Sequence, residues 1–433
     1  MQIFDFSSPR FWPQLERFCA GADVSASVKQ TVASVIADVA KNGDAAVLKY
    51  TEKFDGVKLP KGALRVSEEK INASLKALGK KDRAQIKEAM RMVAHFHKKT
   101  LPKSWRAKNP HGGVVGEQFY PIRRVGINVP AGQVPLVSSV VMTVLLAKIA
   151  GVPRIAVCTP PQKNGSPDPG LLAALHLCGV TEVYAMGGIQ AMAALALGTK
   201  TVAPVDKLFG PGNLWVTQAK RQLFGKVGVD LLPGPSEVMV IADSKSNPAW
   251  TAADLLSQAE HGTGREKIYL VVQGTTLLKK IQKELLKQQA LIAGNKGAQQ
   301  VLKEGCFVAL VKDIKDAAQI ANYVAPEHLE VHVGDAKLLK WFSQAITTAG
   351  AMLLGETTPT ALGDFTAGPS HTLPTGRTGR FFSGLRVDDF MRRTSIVSYD
   401  EKSLRRAQGV IDTFARMEQL PAHGRSLSIR LKK

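Results

Sequence analysis

Three segments far apart in the sequence combine carboxylates, imidazoles and an amide, the groups that bind borderline metal ions and move protons. They are Gln258-Ala-Glu-His261, Glu327-His328 and Glu418-Gln-Leu-Pro-Ala-His423. Scattered nitrogen and oxygen ligands usually meet only when a fold brings them together. The pattern therefore favours a metal-assisted enzyme over a scaffold protein.

The first of these segments is predicted to end a helix. Asn247 is a typical N-cap residue, Pro248 suits the first helical position, and Gly262 favours a helix end. Gln258 and His261 then share a face in the last turn, where an i, i+3 pair can give two ligands to one metal ion. The simpler interpretation is that His261 only caps the helix.

Glu327 and His328 precede residues 329–331, which are typical of a strand. At a junction of loop and strand both side chains can reach one cleft, and a histidine beside a carboxylate is a candidate base. A solvated surface pair is the alternative interpretation. Residues 363–371 are rich in small side chains around Asp364, which suits either a carboxylate presented from a loop or an Asx turn.

The sequence contains neither the G-x-G-x-x-G nor the G-x-x-x-x-G-K-[ST] fingerprint, so glycines alone do not predict a nucleotide site. Gly210-Pro-Gly-Asn213 lies between a strand-like segment and the helical residues 214–223. Free backbone N–H groups there could receive a ligand. A tight turn with Asn213 as the helix cap explains the same residues at least equally well.

Composition predicts a folded protein of the reducing cytoplasm. With 433 residues, 45% of them hydrophobic, the chain can form two or more domains. The N-terminus has no basic region followed by an apolar one, which argues against a secretory signal. The apolar residues 137–152 are interrupted by polar ones and are too short to span a bilayer comfortably, so they predict a buried helix and no membrane association. The four cysteines form no C-x-x-C pair, as in a reducing compartment.

Two further function classes are disfavoured. The strand-like run around Cys158 predicts a buried, inert thiol rather than a catalytic nucleophile. The net charge of +21 comes from dispersed basic doublets without interleaved aromatic residues. This distribution predicts a basic, solvated surface and no nucleic-acid binding.

The order of predicted elements indicates an α/β protein. Residues 25–100 are predicted to be helical, because their apolar residues recur on one helical face. From about Arg124 onward, short β-branched runs alternate with helical stretches, which predicts βαβ units and parallel sheets. A break near residues 234–236 divides this part into two Rossmann-like, doubly wound domains.

Taken in order, the motifs resemble the histidinol dehydrogenase family, and the similarity covers nearly the whole chain. The matching segments are residues 205–213, 234–243, 254–261, 325–329, 363–374 and 418–423. The predicted parts are a helical N-terminal region that packs on the second domain, a cofactor-side domain, a domain with the metal and catalytic residues, and a small C-terminal appendage. These parts span residues 1–121, 122–235, 236–384 and 385–433, respectively.

The resemblance also implies a set of site residues. One Zn²⁺ per site would be bound by Gln258, His261, Asp364 and His423. These four residues would also contact the substrate, together with Ser236, His328 and Glu418. NAD would be bound by Asn128, Gln190 and Asn213.

One cofactor segment departs from the family pattern, which has a tyrosine followed by Val/Ile-Pro-Gly-Gly. This chain has Asn128, which can form hydrogen bonds but cannot stack, and Ala131 at the first glycine of the pair. If that position needs a left-handed backbone, Ala131 adds a penalty of about 1 kcal/mol.

The activity implied by the resemblance is the oxidation of L-histidinol to L-histidine, the last step of histidine biosynthesis. It would proceed by two NAD-linked hydride transfers through a retained aldehyde. His328 would remove the hydroxyl proton, and Glu327 would activate the water that attacks the aldehyde. The family is homodimeric, and its C-terminal segment completes the partner's active site. A paralogue that oxidises another small alcohol, such as a sulfonated diol, is the alternative; a basic nucleic-acid-binding or structural protein is a third hypothesis, supported by net charge alone.

Overall fold

In a computed structural model that describes residues 1–20, 24–131 and 135–431, the chain forms three sheets flanked by helices. The strands are β1 (Gln2–Asp5), β2 (Trp105–Lys108), β3 (Val114–Pro121), β4 (Arg124–Asn128), β5 (Arg154–Thr159), β6 (Val183–Ala185), β7 (Lys207–Phe209), β8 (Gly228–Val229), β9 (Glu237–Ala242), β10 (Lys267–Gln273), β11 (Cys306–Val311), β12 (His328–His332), β13 (Ala351–Leu354) and β14 (Met391–Ser398). The helices are α1 (Phe11–Cys19), α2 (Ala26–Asp55), α3 (Glu68–Ala77), α4 (Lys80–Lys99), α5 (Val137–Ser139), α6 (Leu145–Ile149), α7 (Pro169–Leu177), α8 (Gly188–Leu197), α9 (Leu214–Leu223), α10 (Pro248–Ala259), α11 (Thr275–Gln288), α12 (Lys296–Glu304), α13 (Ala317–Val324), α14 (Ala336–Ala345), α15 (Thr360–Phe365), α16 (Glu401–Met417) and α17 (Pro421–Leu431). A π-helical segment, Val140–Val144, joins α5 to α6, so the predicted buried helix over residues 137–152 is largely confirmed.

The first parallel sheet has the strand order β6-β5-β4-β7-β8. Numbered from its own first strand, this is the order 3-2-1-4-5 of a Rossmann-like unit. Its central strands are buried on both faces, which explains why β5 is almost continuously apolar in sequence. The order reverses between β4 and β7, and ligands of such sheets usually bind near this switch point.

The second parallel sheet has the order β1-β11-β10-β9-β12-β13. Its last five strands repeat the order 3-2-1-4-5, and β1 extends the sheet beyond β11. One face is covered by α1, α13 and α14, and the other by α10, α11 and α12. The predicted α/β class with two Rossmann-like, doubly wound sheets is confirmed.

The N-terminal region differs from the prediction for residues 1–121. Only β1 and α1 pack on the second sheet; α2, α3 and α4 share the core of the first. The apolar stripe of α2 includes Val32, Val35 and Val39, which are buried in the same core as Val125 and Ile127. An amphipathic helix packs on whichever apolar surface is available, and its sequence does not say which one. The region is also not wholly helical, because it contains β1, β2 and β3.

The C-terminal appendage is anchored to its own chain by β14, which pairs with β3 in a small antiparallel sheet. Phe390, just before β14, stacks on Phe209 with ring centroids 4.0 Å apart. Beyond it, α16 and α17 pack on each other and expose several large apolar side chains: Val410, Phe414, Met417, Leu420 and Ile429. No helix in the described part of the chain is both long enough and apolar enough to cross a membrane.

Candidate active site

The catalytic candidates lie where strands of the second sheet begin, which we call its amino edge. Helix α13 ends at Val324, Ala325 adopts a left-handed backbone with φ of 48°, and Pro326 prevents further helix. The chain therefore turns sharply into β12 and presents Glu327 and His328 at its start. Because β9 is the parallel neighbour of β12, Glu237 at the start of β9 lies beside them.

Helix α10 brings the predicted metal ligands to the same edge, because a crossover helix runs antiparallel to the strands. Asn247 caps α10 by accepting hydrogen bonds from two backbone N–H groups of its first turn, as predicted. Gln258 is buried in the last turn. The helix ends at Ala259, so His261 lies in the exposed turn that follows rather than on the helix face predicted for it.

His328 is the centre of a buried polar cluster. Its Nε2 lies 3.2 Å from Oδ1 of Asp364, and its Nδ1 lies 3.8 Å from Oε2 of Glu327. Neither ring nitrogen makes a well-aligned hydrogen bond to the part of the chain that the structure describes. Glu327 Oε2 instead accepts a hydrogen bond of 2.8 Å from the backbone N–H of Glu237. Ser236 directly precedes this donor and is half-buried.

Burial and charge shift the pKa values of this cluster in opposite directions. Burial raises the pKa of Glu327 and of Glu237, the latter to about 7. Burial alone would lower the pKa of His328, but the contacts with Asp364 and Glu327 outweigh it and raise the pKa. Burial would raise the pKa of Asp364, whereas His328 and, at longer range, His371 and His261 lower it. Paired groups with shifted pKa values are typical of sites that transfer protons.

His371 belongs to this cluster, although no role in the site was predicted for it from the sequence. Its Nδ1 lies 3.1 Å from the carbonyl oxygen of Asp364, and its Nε2 lies 3.4 Å from Oγ of Ser139. Ser370 donates a hydrogen bond to the carbonyl of Met142. These contacts join the amino edge of the second sheet to the segment after β4. The signal in the sequence was a histidine after Gly-Pro-Ser, close to Asp364.

The predicted NAD-binding residues lie where strands of the first sheet end, which we call its carboxyl edge. Asn128 is the last residue of β4, and Gln190 lies in the first turn of α8, after β6. Asn213 follows β7 and accepts hydrogen bonds from two backbone N–H groups of α9, which confirms the helix-cap interpretation. Gln190 is fully buried; its Nε2 donates to Asp55, and its Oε1 has no partner among the described residues.

Asn128 is integrated into this edge by a hydrogen bond of 2.7 Å from its Nδ2 to the carbonyl of Pro211. The loop approaches so closely that a Cβ on Gly210 would lie 2.1 Å from the carbonyl oxygen of Asn128. Ala131 is not among the non-glycine residues with left-handed φ, which within the described residues are Ala325, Arg377 and Gln419. The conditional penalty at Ala131 therefore does not arise; Gly132 lies outside the described residues.

Glu418 and His423 are exposed, at the end of α16 and in α17. Within one chain, His423 does not lie with His261 and Asp364 at a spacing that one ion could bridge. Among the described residues, Asp254, Glu330 and His332 form a group whose ligand atoms all lie within 4.8 Å of one another. This group was not predicted from the sequence, and it lies beside the predicted ligand set.

Cys158 offers no alternative nucleophile. It is fully buried in β5, and burial raises the pKa of its thiol to about 12. The prediction of an inert cysteine is confirmed.

The sequence and structure agree with one group of known proteins. The family model for histidinol dehydrogenase matches residues 20–431. The chain belongs to the histidinol dehydrogenase family. A histidinol dehydrogenase of Geobacillus kaustophilus is 41% identical over 405 residues, which are 94% of each chain. One from Rhodopseudomonas palustris is 40% identical over 430 residues, 99% of each chain.

A crystal structure of histidinol dehydrogenase from Elizabethkingia anophelis superimposes with a TM-score of 0.93 at 31% identity. It covers 100% of this chain and 98% of the other. The family resemblance, the enzyme class and the fold predicted from the sequence are thereby confirmed. Membership of this family supports the oxidation of histidinol in histidine biosynthesis and does not favour the paralogue hypothesis.

Proposed function

We propose that the protein oxidises L-histidinol to L-histidine in two successive NAD-linked steps at a site that holds one zinc ion. The observation that carries this proposal is the position of His328 between Glu327 and Asp364 at the amino edge of the second sheet. This position supports the proposal, because His328 as the proton acceptor would lie beside one buried carboxylate that would activate water and another that would bind the metal.

Gln258, His261 and Asp364 are the zinc ligands that one subunit would contribute. The side chain of Gln258 is buried, and its carboxamide nitrogen has no hydrogen-bond partner among the described residues, so a bound molecule is expected to satisfy it while the carboxamide oxygen would bind the metal. Asp364 remains anionic beside three histidines, and His261 is exposed at the same edge. Nitrogen and oxygen donors without thiolates are compatible with zinc. The residues present therefore fit the metal.

Two residues of the chain would each accept one proton during the reaction. When bound, zinc would orient the amino alcohol and offset the negative charge of Asp364, while NAD would accept hydride. His328 would then take the hydroxyl proton of the alcohol. Glu327, held by the N–H of Glu237, would take a proton from the water that attacks the aldehyde. Ser236, beside this donor, would contact the substrate.

We also propose that the site is shared between two subunits. The exposed apolar residues of α16 and α17 suit a second copy of this chain, because monomeric surfaces rarely expose so many together. The same helices carry Glu418 and His423, which would contribute a substrate contact and the fourth zinc ligand to the partner. The four cysteines are all free and buried, in keeping with the cytoplasm.

The direct test follows NADH formation by the near-ultraviolet absorbance of the reduced nicotinamide when L-histidinol and NAD are added. We expect two NADH per histidine formed, loss of activity after chelation, and recovery when zinc is returned. No NADH from zinc-loaded protein would overturn the proposal.

The shared site has a separate test, which uses two variants that are inactive alone. His328→Asn inactivates the part of the site that a subunit builds from its own second sheet. His423→Ala inactivates the part that a subunit contributes to its partner's site. After subunits exchange, half of the dimers are mixed, and each mixed dimer has one intact site. We expect recovery of about a quarter of wild-type activity, because the dimer is symmetric. No recovery in a mixture shown to contain mixed dimers would exclude the sharing of these residues.

A further inference from the structure

A buried polar network follows the candidate active site along β12. We call it the brace and define it as Asp254, Glu330, His332 and Thr360. The Nε2 of His332 lies 3.0 Å from Oε2 of Glu330 and 3.5 Å from Oδ2 of Asp254. The side chains of His332 and Glu330 are fully buried, and that of Asp254 is 13% exposed. None of the four is assigned a role in the proposed reaction.

The brace connects three elements that carry site residues. On β12, alternation places Glu330 and His332 on the same face as His328. Glu330 Oε1 accepts hydrogen bonds of 2.6 Å from both the backbone N–H and the hydroxyl of Thr360, the first residue of α15. His332 Nδ1 lies 3.1 Å from the hydroxyl of Thr251 on α10. One carboxylate and one imidazole thus tie α10 and α15 to the strand between them.

The contacts with Asp254 and Thr360 each lie one helical turn from a proposed zinc ligand. Gln258 follows Asp254 by four residues on α10, and Asp364 follows Thr360 by four residues on α15. Residues four apart lie on the same face of a helix, so fixing the first member fixes the direction of the second.

We propose that the brace positions Gln258 and Asp364 for metal binding, so that Glu330, His332 and Thr360 are positioning residues of the site. This inference rests on the proposed ligand set. A buried ionic network is rarely the most stabilising way to fill a core, and outer-shell hydrogen bonds commonly orient metal ligands. A second metal at the brace is the competing interpretation. It is disfavoured because His332 Nε2 already contacts both carboxylates and Glu330 Oε1 already accepts two hydrogen bonds.

The test is the zinc affinity of Thr360→Val, measured by competition with a chelator of known affinity on the full-length protein. Valine keeps the shape of threonine and the backbone hydrogen bond but loses the hydroxyl. We expect affinity to fall by about 10- to 100-fold, as for other lost outer-shell contacts. Thr360→Ser keeps the hydroxyl and should bind zinc as tightly as the wild type.

Thr201→Val is the matched control, because Thr201 also donates its backbone N–H and its hydroxyl to one carboxylate, that of Asp44. The hydroxyl bond is again 2.6 Å long, but it lies beside the first sheet and touches neither ligand helix. We expect unchanged zinc affinity. The melting temperatures of the two metal-free valine variants separate a general loss of stability from a loss of positioning.

The outcomes separate this inference from the proposed function. Unchanged affinity in Thr360→Val, or an equal loss in Thr201→Val, would overturn the brace while leaving the zinc enzyme intact. Two zinc ions per wild-type chain, one of them lost in Glu330→Gln, would show a metal site in place of the brace. A wild-type chain that binds no zinc would overturn both proposals. If Thr360→Val does not fold, Thr251→Val tests the α10 arm by the same criteria.

Discussion

The two parallel sheets share the strand order 3-2-1-4-5 but carry their candidate functional residues at opposite edges. In the first sheet, Asn128, Gln190 and Asn213 lie where strands end, the usual ligand position of such sheets. In the second, Glu327 and His328 lie where β12 begins. The same topology therefore does not imply the same binding edge.

The arrangement has a simple geometric reason. Hydride transfer requires substrate and cofactor to face each other across one cleft. The contacts of Ser139 with His371 and of Ser370 with Met142 join the carboxyl edge of the first sheet to the amino edge of the second. A cavity of about 710 Å³ does lie at the carboxyl edge of the second sheet, beside Ser246 and Gln273, but no predicted site residue lines it.

The strongest test of this division replaces the base at the amino edge. His328→Asn should lower the turnover of L-histidinol by about 100- to 10 000-fold, because general-base catalysis contributes that much. Zinc content should be unchanged, since His328 is not a proposed ligand. Steady-state kinetics and metal analysis measure the two effects. His95→Asn, an exposed histidine on α4, is the control; turnover of His328→Asn equal to this control would reject the role of the base.

A substitution at the carboxyl edge of the first sheet should have a different effect, a loss of fold stability. The Nζ of Lys220 lies 2.5 Å from Oδ1 of Asp230, and both side chains are 1% exposed. Lys220→Met should cost about 3–5 kcal/mol in the free energy of unfolding, because it leaves a buried carboxylate unpaired. Urea denaturation measures it against Lys49→Met, which breaks an exposed pair with Asp38. A cost no larger than that of the control would show that the buried pair is not needed.

A milder change separates cofactor binding from substrate binding. Asn213→Ala should raise KM for NAD by up to about tenfold through a lost hydrogen bond, and leave KM for L-histidinol unchanged. It also removes the cap of α9, at about 1 kcal/mol, whereas Asn213→Ser retains a cap. Kinetics and thermal unfolding of the two variants separate the loss of the NAD contact from the loss of the helix cap. An equal rise of both KM values would contradict the division between the edges.

The smallest expected effect concerns pH and a residue outside both edges. His97 on α4 is fully buried, neither ring nitrogen has a partner in the described ranges of the chain, and burial lowers its pKa to about 4. Between its ordinary pKa and that value, the unfolded chain binds a proton that the native chain excludes, so stability is lost as pH falls. His97→Leu should therefore lose less melting temperature than the wild type between neutral and acidic buffer. Parallel curves for the two proteins would contradict this assignment.

The sequence predicts local features well because they depend on neighbouring residues. The β-branched runs match β5, β9, β10 and β11, and Asn247 and Asn213 cap the helices expected of them. What depends on distant partners was missed. The apolar stripe of α2 does not reveal which sheet it covers. The position of His371 against Ser139 depends on how the two units meet.

The brace illustrates the same limit within the site. Glu330 and His332 alternate along a strand, a pattern that usually indicates a solvent-facing side. Here that side faces α10 and α15, which come from separate parts of the sequence. Family similarity supplied the candidate residues of the site, but not the side chains that we propose support them.

The position of strand β1 in the sequence affects the order in which the two sheets can form during synthesis. Strand β1 is translated long before β11, residues 306–311, which is its partner strand among the described residues. The first sheet, by contrast, is encoded by one continuous stretch, β4 to β8. The nascent chain can therefore form the strands of the first sheet while β1 is still unpaired. Contacts so distant in sequence slow folding and leave strand edges open to aggregation, so chaperone dependence during translation should centre on the second unit.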